Sequence, residues 1–226
     1  MASTRKLLCV YFAFSALALS SPIAFSDAPF AQTTATPVDA AELARPNPLG
    51  EMSLGAPDAP VTIIQYSSLK CHRCQSFFAN SFPELKARYI DKGKLRYILR
   101  EVSTDPVDAA AFMLARCVAK DDRKKYFDMV RKLFRQQDTW NVARPLQPLQ
   151  EILTKAGLSE QDFNACLSNQ DMFDKINALN DQFLKKLVLK GEDLPAIFIN
   201  GTRFKYNGVP IASEIAEAID GYLKSR

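Results

Sequence analysis

The chain has 226 residues, 47% of them hydrophobic, and 29 lysines and arginines stand against 25 acidic residues for a formal charge of +4. That composition suits a globular protein with a sizeable core. The charge balance gives no case for nucleic acid, because the basic clusters at Arg123 to Lys125 and Lys185 to Lys190 alternate with apolar positions, as the wet faces of helices do.

Residues 1–26 read as an export signal: Arg5 and Lys6 give a basic start, Leu7 to Leu19 is almost wholly apolar, and Ala24 and Ser26 have the spacing a signal peptidase accepts. Cleavage is expected after Ser26. The apolar run falls short of the roughly 20 residues that span a bilayer, which favours release over an uncleaved anchor. The mature chain then carries 27 basic and 25 acidic side chains. Residues 27–52, rich in Ala, Pro and Thr and without heptads, read as a flexible lead-in, and the domain is expected over 53–226.

Val61-Thr62-Ile63-Ile64-Gln65-Tyr66 is β-branched and apolar between Pro60 and Ser67-Ser68, as a buried central strand would be. Cys71-His72-Arg73-Cys74 follows directly, then a helical pattern through Phe77, Phe78, Phe82, Leu85 and Tyr89, with Pro83 expected to kink it and Lys92-Gly93-Lys94 to end it. Leu95 to Arg100 alternates as a second strand. From about 106 to 190 the apolar spacing is helical, with stripes at Ala111/Leu114/Ala115/Val118, Phe127/Val130/Leu133/Phe134 and Phe173/Ile176/Leu179/Phe183. Thr139 to Pro148 is the expected break, Trp140 packing in a turn, and Ser159 a plausible cap for a later helix. Ala196 to Ile199, Asn200-Gly201 and Arg203 to Tyr206 form a hairpin signal, and Ser213 to Lys224 a closing helix that opens on a Ser cap. The fold class is therefore α/β, a sheet with helices on its faces and a helical insertion between the second strand and the C-terminal hairpin.

Of the five cysteines Cys9 leaves with the signal, so four remain in an oxidising compartment. The close spacing of Cys71 and Cys74 favours a local redox bond, which makes Cys117 with Cys166 the natural second pair. At a strand-to-helix junction the first sulfur lies near free backbone N–H groups and the positive end of the helix dipole, so Cys71 is the candidate nucleophile. Lys70, Arg73 and, when protonated, His72 add positive charge. Depressing a thiol pKa by two units amounts to roughly 2.7 kcal/mol of preference for thiolate, which makes the disulfide a better oxidant. Cys74, inside the helix, would resolve mixed disulfides. A zinc half-site is the competing reading, but with one histidine and one CxxC its other ligands would be distant. His72 could also be only an exposed polar residue.

Tyr66-Ser67-Ser68-Leu69, the CxxC, Phe82-Pro83-Glu84-Leu85-Lys86, the Ala115-Arg116-Cys117 and Asn164-Ala165-Cys166 contexts and Leu194 to Gly201 together resemble a bacterial DsbA-like thiol oxidase from about Gly55 onward. The resemblance implies a thioredoxin fold with a helical insertion, donation of disulfides to newly exported proteins in the periplasm, reoxidation by a membrane partner of the DsbB type, and no cofactor or resident metal. It places a cis-proline at Pro195, facing the active-site cysteines, with the Leu194 backbone pairing with substrate peptide. Cys117–Cys166 would then staple two helices of the insertion, or else tune redox transfer. A monomer is expected.

Two residues depart from the family. His72-Arg73 stands where Pro-His is common, and Gln65 occupies the place, six residues before the first cysteine, of a buried acid that helps move protons. Gln65 cannot titrate. The changed dipeptide keeps a reductase or isomerase open as the alternative, and a copper(I)-binding or holdase-like module uses the same two sulfurs.

Overall fold

A computed structural model describes residues 40–225; the expected export signal, its cleavage point, Cys9 and the first half of the lead-in lie outside them. Five strands form one sheet in the order β1-β3-β2-β4-β5. The central strands β2 (Val61–Ser67) and β3 (Leu95–Glu101) run parallel, with Gln65 opposite Leu99. A parallel pair needs a crossover, and residues 72–90 supply it as one continuous helical run. The run consists of α2 (His72–Ser76), a π turn at Phe77–Ser81, α3 (Phe82–Leu85) and a second π turn at Lys86–Ile90. Pro83 was expected to kink it. The turn before the proline widens into a π turn, with Phe82 N–H donating to Phe77 O, and the helical run continues past Pro83.

Rings decide how the sheet is covered. Tyr97 on β3 meets Phe82 at 5.0 Å, Phe127 at 5.8 Å and Phe78 at 6.4 Å between centroids, which seats the active-site helix and α5 (Arg123–Arg135) on one face. Tyr66, the neighbour of Gln65 on β2, points the opposite way to Phe183 and Phe198 at 5.7 and 6.1 Å. Each such side chain taken from water contributes roughly 1.5–3 kcal/mol.

The insertion comprises α4 (Pro106–Ala119), α5, α6 (Gln137–Trp140), α7 (Leu146–Thr154), α8 (Glu160–Leu167) and α9 (Gln170–Asp181), which ends in a π turn at Gln182–Lys186. Asp105, Asp122, Ser159 and Asn169 cap α4, α5, α8 and α9 by accepting first-turn N–H groups, so the local rules for helix starts are met here. The apolar stripes are buried apart from the half-buried Phe173, and Trp140 donates its indole N–H to Leu133 O at 2.9 Å. A disulfide joins Cys117 of α4 to Cys166 of α8 across a separation of 49.

The ends of the domain depart from the sequence pattern in three places. The lead-in is ordered from residue 40: α1 (Ala40–Ala44) buries Leu43, and β1 (Met52–Leu54) pairs antiparallel with β3. Backbone carbonyls anchor it beside these few apolar contacts: Arg100 donates to Arg45 O at 2.7 Å and Arg116 to Leu49 O at 2.8 Å. In the hairpin, β4 (Ala196–Ile199) turns through Asn200 and Gly201, both at positive φ as the primed turn requires, into β5 (Thr202–Phe204), which stops before Lys205 and Tyr206. The closing helix α10 (Ala212–Lys224) starts before Ser213, with extended Ile211 at its N-cap and no side-chain cap.

Candidate active site

β2 delivers the chain to the carboxyl end of the sheet, and Ser68-Leu69-Lys70 carry it over to the start of α2. Cys71 is the N-cap of that helix, in the extended conformation (φ −80°, ψ 116°), and its Sγ accepts the backbone N–H of Cys74 at 3.2 Å. An unpaired helix-start donor is thus aimed at the sulfur. The Cys74 side chain is fully buried beneath, and both cysteines are free thiols.

The two thiols are driven in opposite directions. The hydrogen bond between the Cys71 and Cys74 side chains lowers the Cys71 pKa; its partial burial opposes this, and the Cys74 N–H and the Arg73 charge assist, leaving it at about 7. Burial pushes the Cys74 thiol well up, and its hydrogen bond to Cys71 and the charge there push it further. Proton and charge are therefore divided unequally: the outer sulfur carries the thiolate and the inner one keeps its hydrogen.

The flanking charges behave unequally. Lys70 pairs with Asp105, so its charge is shared with a carboxylate rather than offered to the thiol alone. Arg73 stays close, and its guanidinium also donates to Glu192 O, tying the helix to the loop before β4. His72 is exposed at the first helical position, and its side chain makes no hydrogen bond or ion pair among the described residues.

From the other side of the chain the Leu194–Pro195 peptide bond is cis, and Leu194 O lies 3.8 Å from Cys71 Sγ. Leu194 is extended (φ −77°, ψ 140°), and the Tyr206 hydroxyl donates to Pro195 O. Tyr206 escaped the sequence reading because its position past the end of β5, not its type, puts it there. Gln65 is wholly buried on β2, and neither its amide nitrogen nor its oxygen has a hydrogen-bond partner among the described residues. No cluster of three or more His, Cys, Asp or Glu side chains that could hold a metal ion occurs among the described residues.

The thioredoxin family model matches residues 48–220. The crystal structure of Wolbachia pipientis alpha-DsbA1 superposes with a TM-score of 0.72 at 31% identity, covering 81% of this chain and 96% of that one. The chain belongs to the DsbA-like thioredoxin-fold oxidoreductases. Disulfide bond formation protein D of Bacillus subtilis is 27% identical to this DsbA-like chain over 187 residues, 80% of this chain and 81% of that one. A Rickettsia bellii protein is 31% identical over 172 residues, which take in 75% of this chain and 65% of the relative, so this chain spans less than two thirds of that longer protein.

Proposed function

We propose that the protein is an exported thiol-disulfide oxidoreductase that introduces disulfides into newly exported proteins in the periplasm. The observation that carries this reading is the geometry of the cysteine pair, Cys71 at the N-cap of α2 with its sulfur on Cys74 N–H and beside Leu194 O, and Cys74 fully buried beneath it.

In the oxidised protein a substrate thiolate attacks Cys71 Sγ, the Cys71–Cys74 bond breaks, and Cys74 leaves with the electron pair and takes up a proton. A second substrate cysteine, as thiolate, attacks the substrate sulfur of the mixed disulfide and expels Cys71. Two electrons have then passed from substrate to protein, and Cys71 departs as the better leaving group because its thiolate is stabilised. Leu194, extended beside Cys71, offers its backbone to an extended substrate segment, and Pro195 holds the approach while Arg73 favours the thiolate. His72, exposed at the helix start, faces the client. A membrane partner of the DsbB type reoxidises the dithiol, and the protein acts as a monomer.

A second reading, reduction or isomerisation, is favoured by one value. A Cys71 pKa of about 7 equals that of thioredoxin and stands far above the roughly 3.5 of the strongest oxidants with this fold. The equilibrium potential of Cys71/Cys74 against glutathione separates the readings, together with the rate of oxidation of a reduced unfolded protein. Oxidase function expects a potential above about −200 mV and catalysed oxidation; a potential near −270 mV without catalysed oxidation makes the protein a reductase.

A further inference from the structure

We propose that Asp108 is the positioning residue of the redox loop: its buried carboxylate holds Ser68 and Leu69 so that Cys71 sits at the N-cap of α2 with its sulfur on the Cys74 N–H. The inference rests on the redox reading of the same site and names the residue that sets its geometry.

Asp108 lies in the first turn of α4, at 0% exposure, and no basic side chain pairs with it among the described residues. Every donor it meets is neutral. Oδ1 accepts Leu69 N–H at 2.9 Å; Oδ2 accepts the Ser68 hydroxyl at 2.6 Å, Thr104 N–H at 2.9 Å and the Thr104 hydroxyl at 3.1 Å. Burial outweighs these bonds and pushes its pKa up to about 6, so a charge at this position is held against the preference of its surroundings. An asparagine offers one acceptor oxygen where two backbone N–H groups end on two different oxygens, so it leaves one of them facing a donor.

The path to Cys71 runs through Ser68. With its hydroxyl hydrogen turned to Asp108, Ser68 Oγ accepts Lys70 N–H at 3.1 Å, and Ser68 O accepts Cys71 N–H at 3.2 Å. From the far side Gln137 of α6 donates to Leu69 O at 2.6 Å. Ser68 and Leu69 are thus gripped by two helices of the insertion, from 39 to 68 positions away, and Lys70 N–H is held in turn by Ser68. The extended N-cap conformation that brings the sulfur onto Cys74 N–H is the one this grip enforces.

The test is the pH dependence of alkylation of Cys71 by iodoacetamide in the reduced full-length mature protein, for wild type, Asp108→Asn and Ser68→Ala, with thermal melting in parallel. Wild type is expected to titrate at about 7. Both variants are expected to shift the midpoint upward by about one unit, which slows alkylation at pH 7 several-fold. Ser68→Ala keeps the Asp108 charge, so its shift reports geometry even if Asp108→Asn fails to fold. Lower melting temperatures with an unmoved midpoint make Asp108 merely structural and overturn the proposal. A downward shift in Asp108→Asn overturns it too, since that is the sign of a removed negative charge acting through space. A wild-type midpoint at the ordinary thiol value instead sinks the redox reading itself.

Discussion

Cys71 and Cys74 stand at the start of α2 as free thiols, one half-buried and one fully buried, whereas Cys117 and Cys166 are bonded between α4 and α8 across a separation of 49. The first pair would close so short a loop that bonding constrains the unfolded chain little, and its surroundings divide the two sulfurs by acidity. The second closes a long loop, and both of its sulfurs belong to helices packed against each other. Ring size and helix-start donors, rather than cysteine chemistry as such, separate a bond suited to exchange from a bond suited to stapling.

Cys71→Ala is the sharpest way to break the contrast. Exchange activity is expected to vanish, read as oxidation of reduced ribonuclease or reduction of insulin, while the Cys117–Cys166 bond and the fold persist by circular dichroism. The converse variant, Cys117→Ala with Cys166→Ala, is expected to cost about 4 kcal/mol of unfolding free energy in the chain-entropy account of a loop this long. Its Cys71 titration should stay at about 7. A moved midpoint would mean that the staple also tunes the redox pair.

The smallest effect is a pH dependence confined to the reduced protein. Cys71 is depressed in the fold to about 7, below the roughly 8.5 of an unfolded cysteine. Between these values the unfolded chain binds more protons, so stability rises with pH by up to about 2 kcal/mol and is lost as pH falls through 7. Cys74 acts with the opposite sign, because its raised pKa makes the folded state keep a proton that the unfolded chain gives up above about 8.5. Urea unfolding of reduced wild type should therefore peak in stability near pH 8.5. Reduced Cys71→Ala should lack the rise.

Much of the fold was legible because its signals are local. The β-branched run before the CxxC, the 3.6-residue stripes of the insertion and the Asn200-Gly201 turn each depend on residues within a few positions of one another. The ordered lead-in was not legible, since its partners are the guanidinium groups of Arg100 and Arg116, more than 50 positions away, and it has little apolar bulk to announce itself.

Cys71 at the start of a helix, and therefore a thiol biased towards thiolate, was written into the order strand, CxxC, helix. Which charges and side chains actually reach it was decided by tertiary packing. Asp105 pairs with Lys70, Asp108 and Gln137 grip the loop, and Leu194 O comes to 3.8 Å across 123 positions. Periodicity reports which face of an element is buried; it carries no record of which distant side chain that face will meet.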